Sequence, residues 1–566
     1  MKELLGTINA TLIQRLLERK YGGDKTSIPS VDYLSASPSG KTVHLSGVER
    51  VDGRDQISYK IGAVIPDAIS WLETLAGEKL SWLRAFITFP TFVQGGSFIN
   101  NPIRRILAPR AGQKVVITTS GGQPLSVTVY GAARSYGAHK SNFKAVEIKY
   151  NASSKLVDMT LYEERQEVSV PLSLQFEYKP SNGFAPIHEI AIGRNTRIKE
   201  FYWKLWYGDN AVLPNINIHE TFVGPEVAIE AEAVERFCAV VGNDGESFKS
   251  VRNNIVKAPM DFAIVTGWKA SLLYNSIVFD FDLCVQAIMK SIFPSVIDGD
   301  LLKLVHLSNG FRMMEGAIPL EVGNVCRAEA RIVSVTNTNE GKIVKVKGHV
   351  YRGSQPIIEV VSAFLYRGRF TDYENTFETT EEPNYAVTLE TDADVGVLQS
   401  KEWFSWESSS PMLAGITLIF RVRSQVSFKD KTSFKNVSVF GDIFVRDQLK
   451  VLIKVGSVDF QRDDSRGNPV LAYLQRFGLP EGLVVPLAND GYSLTKTGES
   501  TIFNAPLTNE PYSQISGDFN PIHVNPYFSD FASLPATITH GLWSSAATRR
   551  FVETVVAHGH PERVLA

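Results

Sequence analysis

An acid, a base and a helix start lie close together near the end of the sequence. Asp518 and His523 are five positions apart, and His540-Gly541 follows seventeen residues after His523. A carboxyl group and an imidazole held side by side can exchange protons with a substrate, and backbone N–H groups can stabilise negative charge on a carbonyl oxygen. These are the groups that addition or removal of water next to a thioester carbonyl requires.

The elements that must position these groups are predicted from proline and from periodicity. Because a residue before proline is disfavoured in the helical region, Asn520-Pro521 predicts an extended loop that presents the acid and the base together. The segment Thr537 to Val556 predicts a helix whose first turn contains His540 and Gly541. Its unpaired N–H groups and the positive end of its dipole would face whatever the loop binds.

Two other kinds of site fit this segment less well. A serine hydrolase needs a G-x-S-x-G nucleophile turn, which does not occur near it, and Ser516-Gly517 lacks that context. A zinc site has ligands at characteristic spacings that this segment lacks, although Asp518, His523 and His540 could converge on one ion. Removal of water beside a thioester requires no metal, so the sequence predicts a site without a metal ion.

The combination of both elements carries a resemblance to a known family. Gly517-Asp-Phe-Asn-Pro-Ile-His-Val-Asn-Pro526, followed by Ile538-Thr-His-Gly-Leu542, resembles the hydratase 2 motif of MaoC-like dehydratases in residue types and in spacing. That resemblance implies that His523 is the base that takes the α proton and that Asp518 is the acid that assists the hydroxyl to leave. A single water held by both residues is an alternative division of their roles.

The same resemblance implies roles for three further positions. Gly541 would donate its backbone N–H to the thioester oxygen. Asn520 and His540 would support the site by shaping the loop and the start of the helix.

The remainder of the chain is similar to the β subunit of the fungal-type I fatty acid synthase. The segments that carry this similarity are Asn101-Pro-Ile-Arg-Arg-Ile-Leu-Ala-Pro-Arg110, Tyr130-Gly-Ala-Ala-Arg-Ser-Tyr136, Gly193-Arg-Asn195 with Phe201-Tyr-Trp203, and Pro259-Met-Asp-Phe-Ala-Ile-Val-Thr-Gly-Trp268. The similarity implies a lyase that dehydrates (3R)-3-hydroxyacyl groups to trans-2-enoyl groups. The substrate would be carried on the phosphopantetheine of an acyl carrier protein. The other synthase domains and the α subunit would be partners, and no cofactor would bind this segment.

Pattern and similarity together predict an α+β chain in which an N-terminal mixed region and an antiparallel β meander precede hot-dog, MaoC-like units. Alternation of apolar residues predicts the meander, and a long apolar helix, Met260 to Ile277, followed by long strands predicts the first hot-dog unit. The expected domains are a mixed linker region at 1–112, the meander at 113–218, the N-terminal hot-dog domain at 219–375, a degenerate middle hot-dog-like domain at 376–500, and the start of the catalytic MaoC-like domain at 501–566.

The last hot-dog unit is predicted to be incomplete. Only the residues from Ala557 to Ala566 follow its helix, so the helical face with Leu542, Ala546 and Phe551 would have little sheet to cover it. We therefore expect a segment of a longer polypeptide or a truncated gene product. A non-catalytic structural or interaction fragment of the synthase is the alternative function.

Composition excludes several classes of partner. Lys plus Arg number 58 against 60 for Asp plus Glu, a net charge of -2, which does not favour nucleic acid or an anionic membrane surface. The cysteines number three, which suits neither a disulfide framework nor a paired metal site. The first residues lack an apolar secretory core. A cytoplasmic location and no membrane or nucleic-acid partner are expected.

Overall fold

The computed structural model describes about two thirds of the chain. The described residues are 31–33, 43–51, 54–61, 82–83, 85, 106, 114–120, 123–131, 143–165, 168–182, 186–208, 210–242, 287–449, 451–463, 467–481 and 504–558. The predicted helix Met260 to Ile277 lies outside them. Within the described ranges, no helix is both long and apolar enough to cross a membrane.

The first sheet is an antiparallel meander of nine strands in which each strand pairs with the next along the chain. The strands are β1 (Val31–Tyr33), β2 (Val43–Val51), β3 (Arg54–Ile61), β4 (Lys114–Ser120), β5 (Gln123–Tyr130), β6 (Lys144–Asn151), β7 (Leu156–Arg165), β8 (Val168–Tyr178) and β9 (Ile187–Glu189). In β8, Val170, Leu172, Leu174 and Phe176 are buried. This alternation is what one buried face requires. Because β3 pairs with β4, the expected boundary between residues 112 and 113 falls inside one sheet.

Helix α1 (Arg194–Tyr207) closes the meander, and a buried charged group fixes its start. The guanidinium of Arg194 contacts Glu189 at 2.5 Å and Asp300 at 2.7 Å, and Arg194 is only 1% exposed. Asp300 precedes a short 3-10 turn, Leu301–Lys303, within the next domain. Since a buried charge requires partners, this three-residue network ties the meander to the domain that follows.

The second sheet begins with the strands expected of the first hot-dog unit. Before and within this unit are β10 (Phe222–Val223), β11 (Val227–Ala228), α2 (Ala231–Val240), α3 (Ala287–Lys290), β12 (Leu304–Met313), β13 (Val325–Asn337), β14 (Gly341–Arg352) and β15 (Gln355–Arg367). Its four long strands lie in the order β12-β15-β14-β13. Cys238 in α2 and Cys326 in β13 are buried, where a cysteine packs as a small apolar side chain.

The same sheet continues into the next unit of the chain. Strand β16 (Phe377–Glu381) pairs with β13 on one side and with β19 (Thr417–Phe428) on the other. The remaining elements are β17 (Asn384–Thr388), α4 (Asp392–Gln399), β18 (Phe404–Trp406), β20 (Phe434–Arg446), β21 (Leu452–Asp463), α5 (Pro469–Phe477) and β22 (Gly478–Glu481). This unit has its own apolar core, which includes Leu418, Phe420 and Leu474.

The final described segment is helical and packs onto the meander and the first hot-dog unit. Its helices are α6 (Glu510–Ser516), α7 (Pro521–Val524), α8 (Pro526–Phe531) and α9 (Gly541–Phe551), and α9 continues as a π-helical turn, Val552–Val556. Leu542 and Ala546 are buried, so the expectation that their face lacks cover is wrong. The cover comes from the first hot-dog unit, because α9 packs against β12.

Candidate active site

The acid and the base lie at the junction of two short helices, α6 and α7. Helix α6 ends at Gly517, whose φ of 75° is left-handed and therefore suits glycine. Asn520 then caps α7, with Pro521 at its first position, so His523 lies in a one-turn helix. The prediction of a wholly extended loop is wrong there. Asn520 is extended, as a residue before proline should be, but proline also favours the first turn of a helix.

The histidine at 523 is held in one tautomer. Its Nδ1 lies 2.7 Å from the carbonyl oxygen of Ile538, and a carbonyl only accepts, so Nδ1 carries the hydrogen. In the neutral ring, Nε2 therefore carries a lone pair, and it lies 3.9 Å from Oδ2 of Asp518. His523 is thus arranged as a base beside a carboxyl group.

His540 supports the acid through the backbone. Its Nε2 donates to the carbonyl oxygen of Asp518 at 2.9 Å and lies 3.2 Å from Oγ of Ser513. Its ring stacks on that of His523 with centroids 3.9 Å apart. His540 is the N-cap of α9 and not part of its first turn, because its φ and ψ are extended. The helix therefore starts at Gly541, later than predicted.

Gly541 stands at the first helical position, where its N–H has no acceptor within the helix. A β-carbon on this residue would lie 3.0 Å from both Cβ and Nδ1 of His306 in β12. The His306 ring in turn stacks on Phe364, with centroids 4.9 Å apart. The wall against Gly541 therefore comes from the first hot-dog unit, and only glycine fits there without a shift of this wall.

Burial drives the acid and the base toward their uncharged forms. It raises the pKa of Asp518, and the neighbouring His523 only partly opposes that rise. It lowers the pKa of His523, against the opposing effects of Asp518 and the Ile538 carbonyl. Burial lowers the pKa of His540 well below its usual range and that of His306 to about 4. A protonated carboxyl beside a neutral imidazole is the pairing that dehydration needs.

Asp518→Asn is expected to raise the melting temperature at pH 7 and to leave it nearly unchanged near pH 4. The pKa of this carboxyl is higher in the folded chain than in the unfolded chain. At a pH between these two pKa values, the carboxyl is protonated in the folded chain and ionised in the unfolded chain. The free energy of unfolding then falls as pH rises, and asparagine removes this penalty. Thermal unfolding of both chains from pH 4 to pH 8 measures it. An equal or lower melting temperature of the variant at pH 7 would contradict the buried, raised-pKa carboxyl.

The three residues that could bind a metal have the wrong mutual orientation for it. Ligand atoms of Asp518, His523 and His540 lie within 4.8 Å of one another. However, the two imidazoles are stacked with planes only 26° apart, and Nε2 of His540 already donates to a carbonyl. Near-parallel rings do not direct their lone pairs at one ion, as tetrahedral zinc requires. The arrangement favours proton transfer over chelation.

The structure brings together all five residues predicted from the motif and adds others that sequence reasoning missed. Asn509 donates from Nδ2 to the carbonyl oxygens of His523 and Ile538, both at 2.9 Å, so it clamps the two halves of the motif. Tyr202 donates from its hydroxyl to Oδ1 of Asn520 at 3.1 Å. Position near the motif could have indicated Asn509. Tyr202 lies in the family-like segment Phe201-Tyr-Trp203, but nothing in that segment connects it with the motif, and no local signal marks His306.

Comparison with known families covers most of the chain. Residues 62–209 match the fatty acid synthase meander beta sheet domain, 219–360 the FAS1-like dehydratase domain region, 377–474 the insertion domain of fatty acid synthase subunit beta, and 489–566 the MaoC like domain. The meander match starts well before the expected boundary at residue 113. The other starts lie at or within about a dozen residues of those expected.

Curated relatives match along the whole chain. The fatty acid synthase subunit beta of Schizosaccharomyces pombe is 42% identical over 100% of this chain and 27% of its own length. That of Saccharomyces cerevisiae is 37% identical over 100% of this chain and 26% of its own length. The chain therefore spans about a quarter of these relatives. A solved MaoC-like dehydratase is 12% identical, with a TM-score of 0.30, over 60% of this chain and 77% of that structure.

Proposed function

Because this chain is a segment of the fungal fatty acid synthase β-subunit kind, with matches to the FAS1-like dehydratase domain region and to the MaoC like domain, we propose that it dehydrates (3R)-3-hydroxyacyl thioesters to trans-2-enoyl thioesters. The observation that carries the proposal is the placement of His523 Nε2 at 3.9 Å from the Asp518 carboxyl, with the start of α9 packed on the same histidine pair. Acid, base and backbone donor are then available to one substrate.

The proposed reaction uses only groups of the chain. Nε2 of His523 takes the α proton, and the electron pair moves into the thioester carbonyl as its oxygen gains negative charge. The N–H of Gly541 and the positive end of α9 stabilise that oxygen. Protonated Asp518 then gives its proton to the 3-hydroxyl, the C–O bond breaks, and water leaves as the double bond forms. No electrons are exchanged with a cofactor, so none is needed in this segment.

The proposed partners follow from the form of the substrate. The relatives are subunits of a fatty acid synthase, so other synthase domains and subunits are implied for this chain. The acyl substrate would arrive on the phosphopantetheine of an acyl carrier protein, and the α subunit would be part of the same assembly. A cytoplasmic location, without nucleic-acid or membrane partners, belongs to the same proposal.

Hydration of a trans-2-enoyl thioester, the reverse reaction, is the direct test. The purified chain is expected to remove the enoyl absorbance and to form the (3R)-3-hydroxyacyl product, as chiral analysis of that product would show. The double variant Asp518→Asn/His523→Ala serves as the control and should be inactive. A folded chain that shows no turnover would instead support the structural or interaction fragment.

A further inference from the structure

The loop that carries Asp518 and His523 rests on the meander domain through buried polar and aromatic contacts. Nδ2 of Asn525 donates to Oε2 of Glu163 at 2.7 Å and to the carbonyl oxygen of Tyr162 at 3.2 Å. The rings of Phe201 and Phe528 stack with centroids 5.2 Å apart. Asn525 is 0% exposed and Glu163 is 1% exposed. These are contacts between two domains that match different families.

A further contact from the meander domain reaches the residue between the acid and the base. The hydroxyl of Tyr202, on α1, donates to Oδ1 of Asn520. The same Oδ1 accepts from the backbone N–H of Ile522 at 3.3 Å, which starts the turn that carries His523. The backbone N–H of Asn520 donates to Oδ1 of Asp518 at 3.1 Å. The Tyr202 hydroxyl therefore contacts Asn520, which is hydrogen-bonded both to Asp518 and to the turn that holds His523.

The geometry also fixes the orientation of the Asn520 amide. Two donors, one from Tyr202 and one from Ile522, converge on its oxygen. Because a backbone N–H only donates, a flipped amide would place its NH2 group against the N–H of Ile522, and the Tyr202 hydroxyl adds a second restraint on the oxygen. Tyr202 is 1% exposed, so its hydroxyl is shielded from bulk solvent in the intact chain. Loss of the hydroxyl would leave the amide with one restraint where it now has two.

We propose that Tyr202 is a positioning residue of the dehydratase, through which the meander domain holds Asp518 and His523 in reactive geometry by way of Asn520. This inference rests on the proposed function. It assigns a catalytic contribution to a domain that lies outside the MaoC-like segment. Tyr202 itself touches neither the substrate nor the reacting atoms.

Tyr202→Phe tests the proposal, because it deletes the hydroxyl and keeps the ring that packs on Trp206. Its kcat for enoyl hydration is expected to fall about tenfold, as for one hydrogen bond of about 1.4 kcal/mol, with KM within twofold. The matched control is Tyr366→Phe. Tyr366 is also fully buried, and its hydroxyl donates to the carbonyl oxygen of Ile292 at 2.8 Å, away from the loop. This control should lose comparable stability and keep kcat.

A double-variant cycle separates positioning from general destabilisation. If Tyr202 acts through Asn520, the double variant Tyr202→Phe/Asn520→Ala should be no slower than Asn520→Ala alone. The inference is wrong if the two substitutions lower kcat by factors that multiply in the double variant. It is also wrong if Tyr202→Phe keeps kcat within twofold of the unchanged chain. Either of these results leaves the proposed dehydratase function supported, provided that the unchanged chain is active. An inactive unchanged chain would refute the proposed function itself.

Discussion

Replacement of His523 by alanine is expected to lower kcat for enoyl hydration by about 10²–10⁴-fold, the usual contribution of a positioned general base. The tautomer fixed by the Ile538 carbonyl leaves Nε2 as the free lone pair beside Asp518. His540, the other imidazole of the motif, cannot replace it, since it uses its Nε2 to hold the Asp518 backbone. KM should change much less than kcat, because the lost group acts on a proton in the transition state.

Steady-state kinetics with a trans-2-enoyl thioester measure this loss, and a second histidine variant controls for it. His188 lies on β9, where its Nε2 contacts the exposed Asn182 side chain at 3.0 Å, so His188→Ala should keep full activity. Circular dichroism would verify that both variants fold. A folded His523→Ala chain with more than a tenth of normal turnover would remove this residue from the proposed mechanism.

Gly541→Ala is expected to lower kcat by about 10- to 100-fold while the chain stays folded. The new β-carbon would meet Cβ and Nδ1 of His306 at 3.0 Å, so the helix start or the β12 wall must shift by a few tenths of an ångström. Small displacements of a donor from the developing oxyanion have large effects on rate. Alanine at the same time restricts the unfolded chain more than glycine does, which offsets part of the packing strain. Activity should therefore fall more than stability.

The same enoyl hydration assay, combined with thermal unfolding, distinguishes this clash from a general defect. Removal of the opposing side chain in Gly541→Ala/His306→Gly should restore part of kcat, because the contact atoms belong to His306. Glycine within β12 has its own cost, so the single variant His306→Gly provides the reference. If the loss of kcat in the double variant equals the product of the losses in the two single variants, contact with His306 does not explain the requirement for glycine.

The part of the site that is local in sequence could be predicted, and the part that comes from other domains could not. Asp518, His523 and Gly541 follow from residue types and spacing within one short segment. Tyr202 contacts Asn520 from 318 positions away, and no property of its surroundings distinguishes it from other buried aromatic residues of α1. The one-turn helix at Pro521 was missed because proline favours both an extended residue before it and a helix start at its own position.

The fold shows the same division between local and distant effects. Period-two alternation predicted the meander, because such a pattern reports one buried face. The first hot-dog unit was predicted from long strands that follow an apolar helix. Pairing of β16 with both β13 and β19 depends on strands far apart in the chain, so alternation within each strand could not reveal one continuous sheet. The cover over Leu542 was likewise missed, since it comes from β12 and not from a neighbouring strand in sequence.

The buried Arg194 network limits how this chain can be recombined. Arg194 and Glu189 belong to the meander, whereas Asp300 belongs to the hot-dog unit beyond residue 219. A chimera that joins this meander to a hot-dog unit from another protein would keep Arg194 and Glu189 but lose Asp300, unless the new unit supplies a carboxylate at that place. Breaking a buried ion pair by removing one member costs about 3–5 kcal/mol, a large share of the stability of a domain. Exchange between homologous synthases should therefore succeed when the meander and the dehydratase region are transferred as one inherited piece.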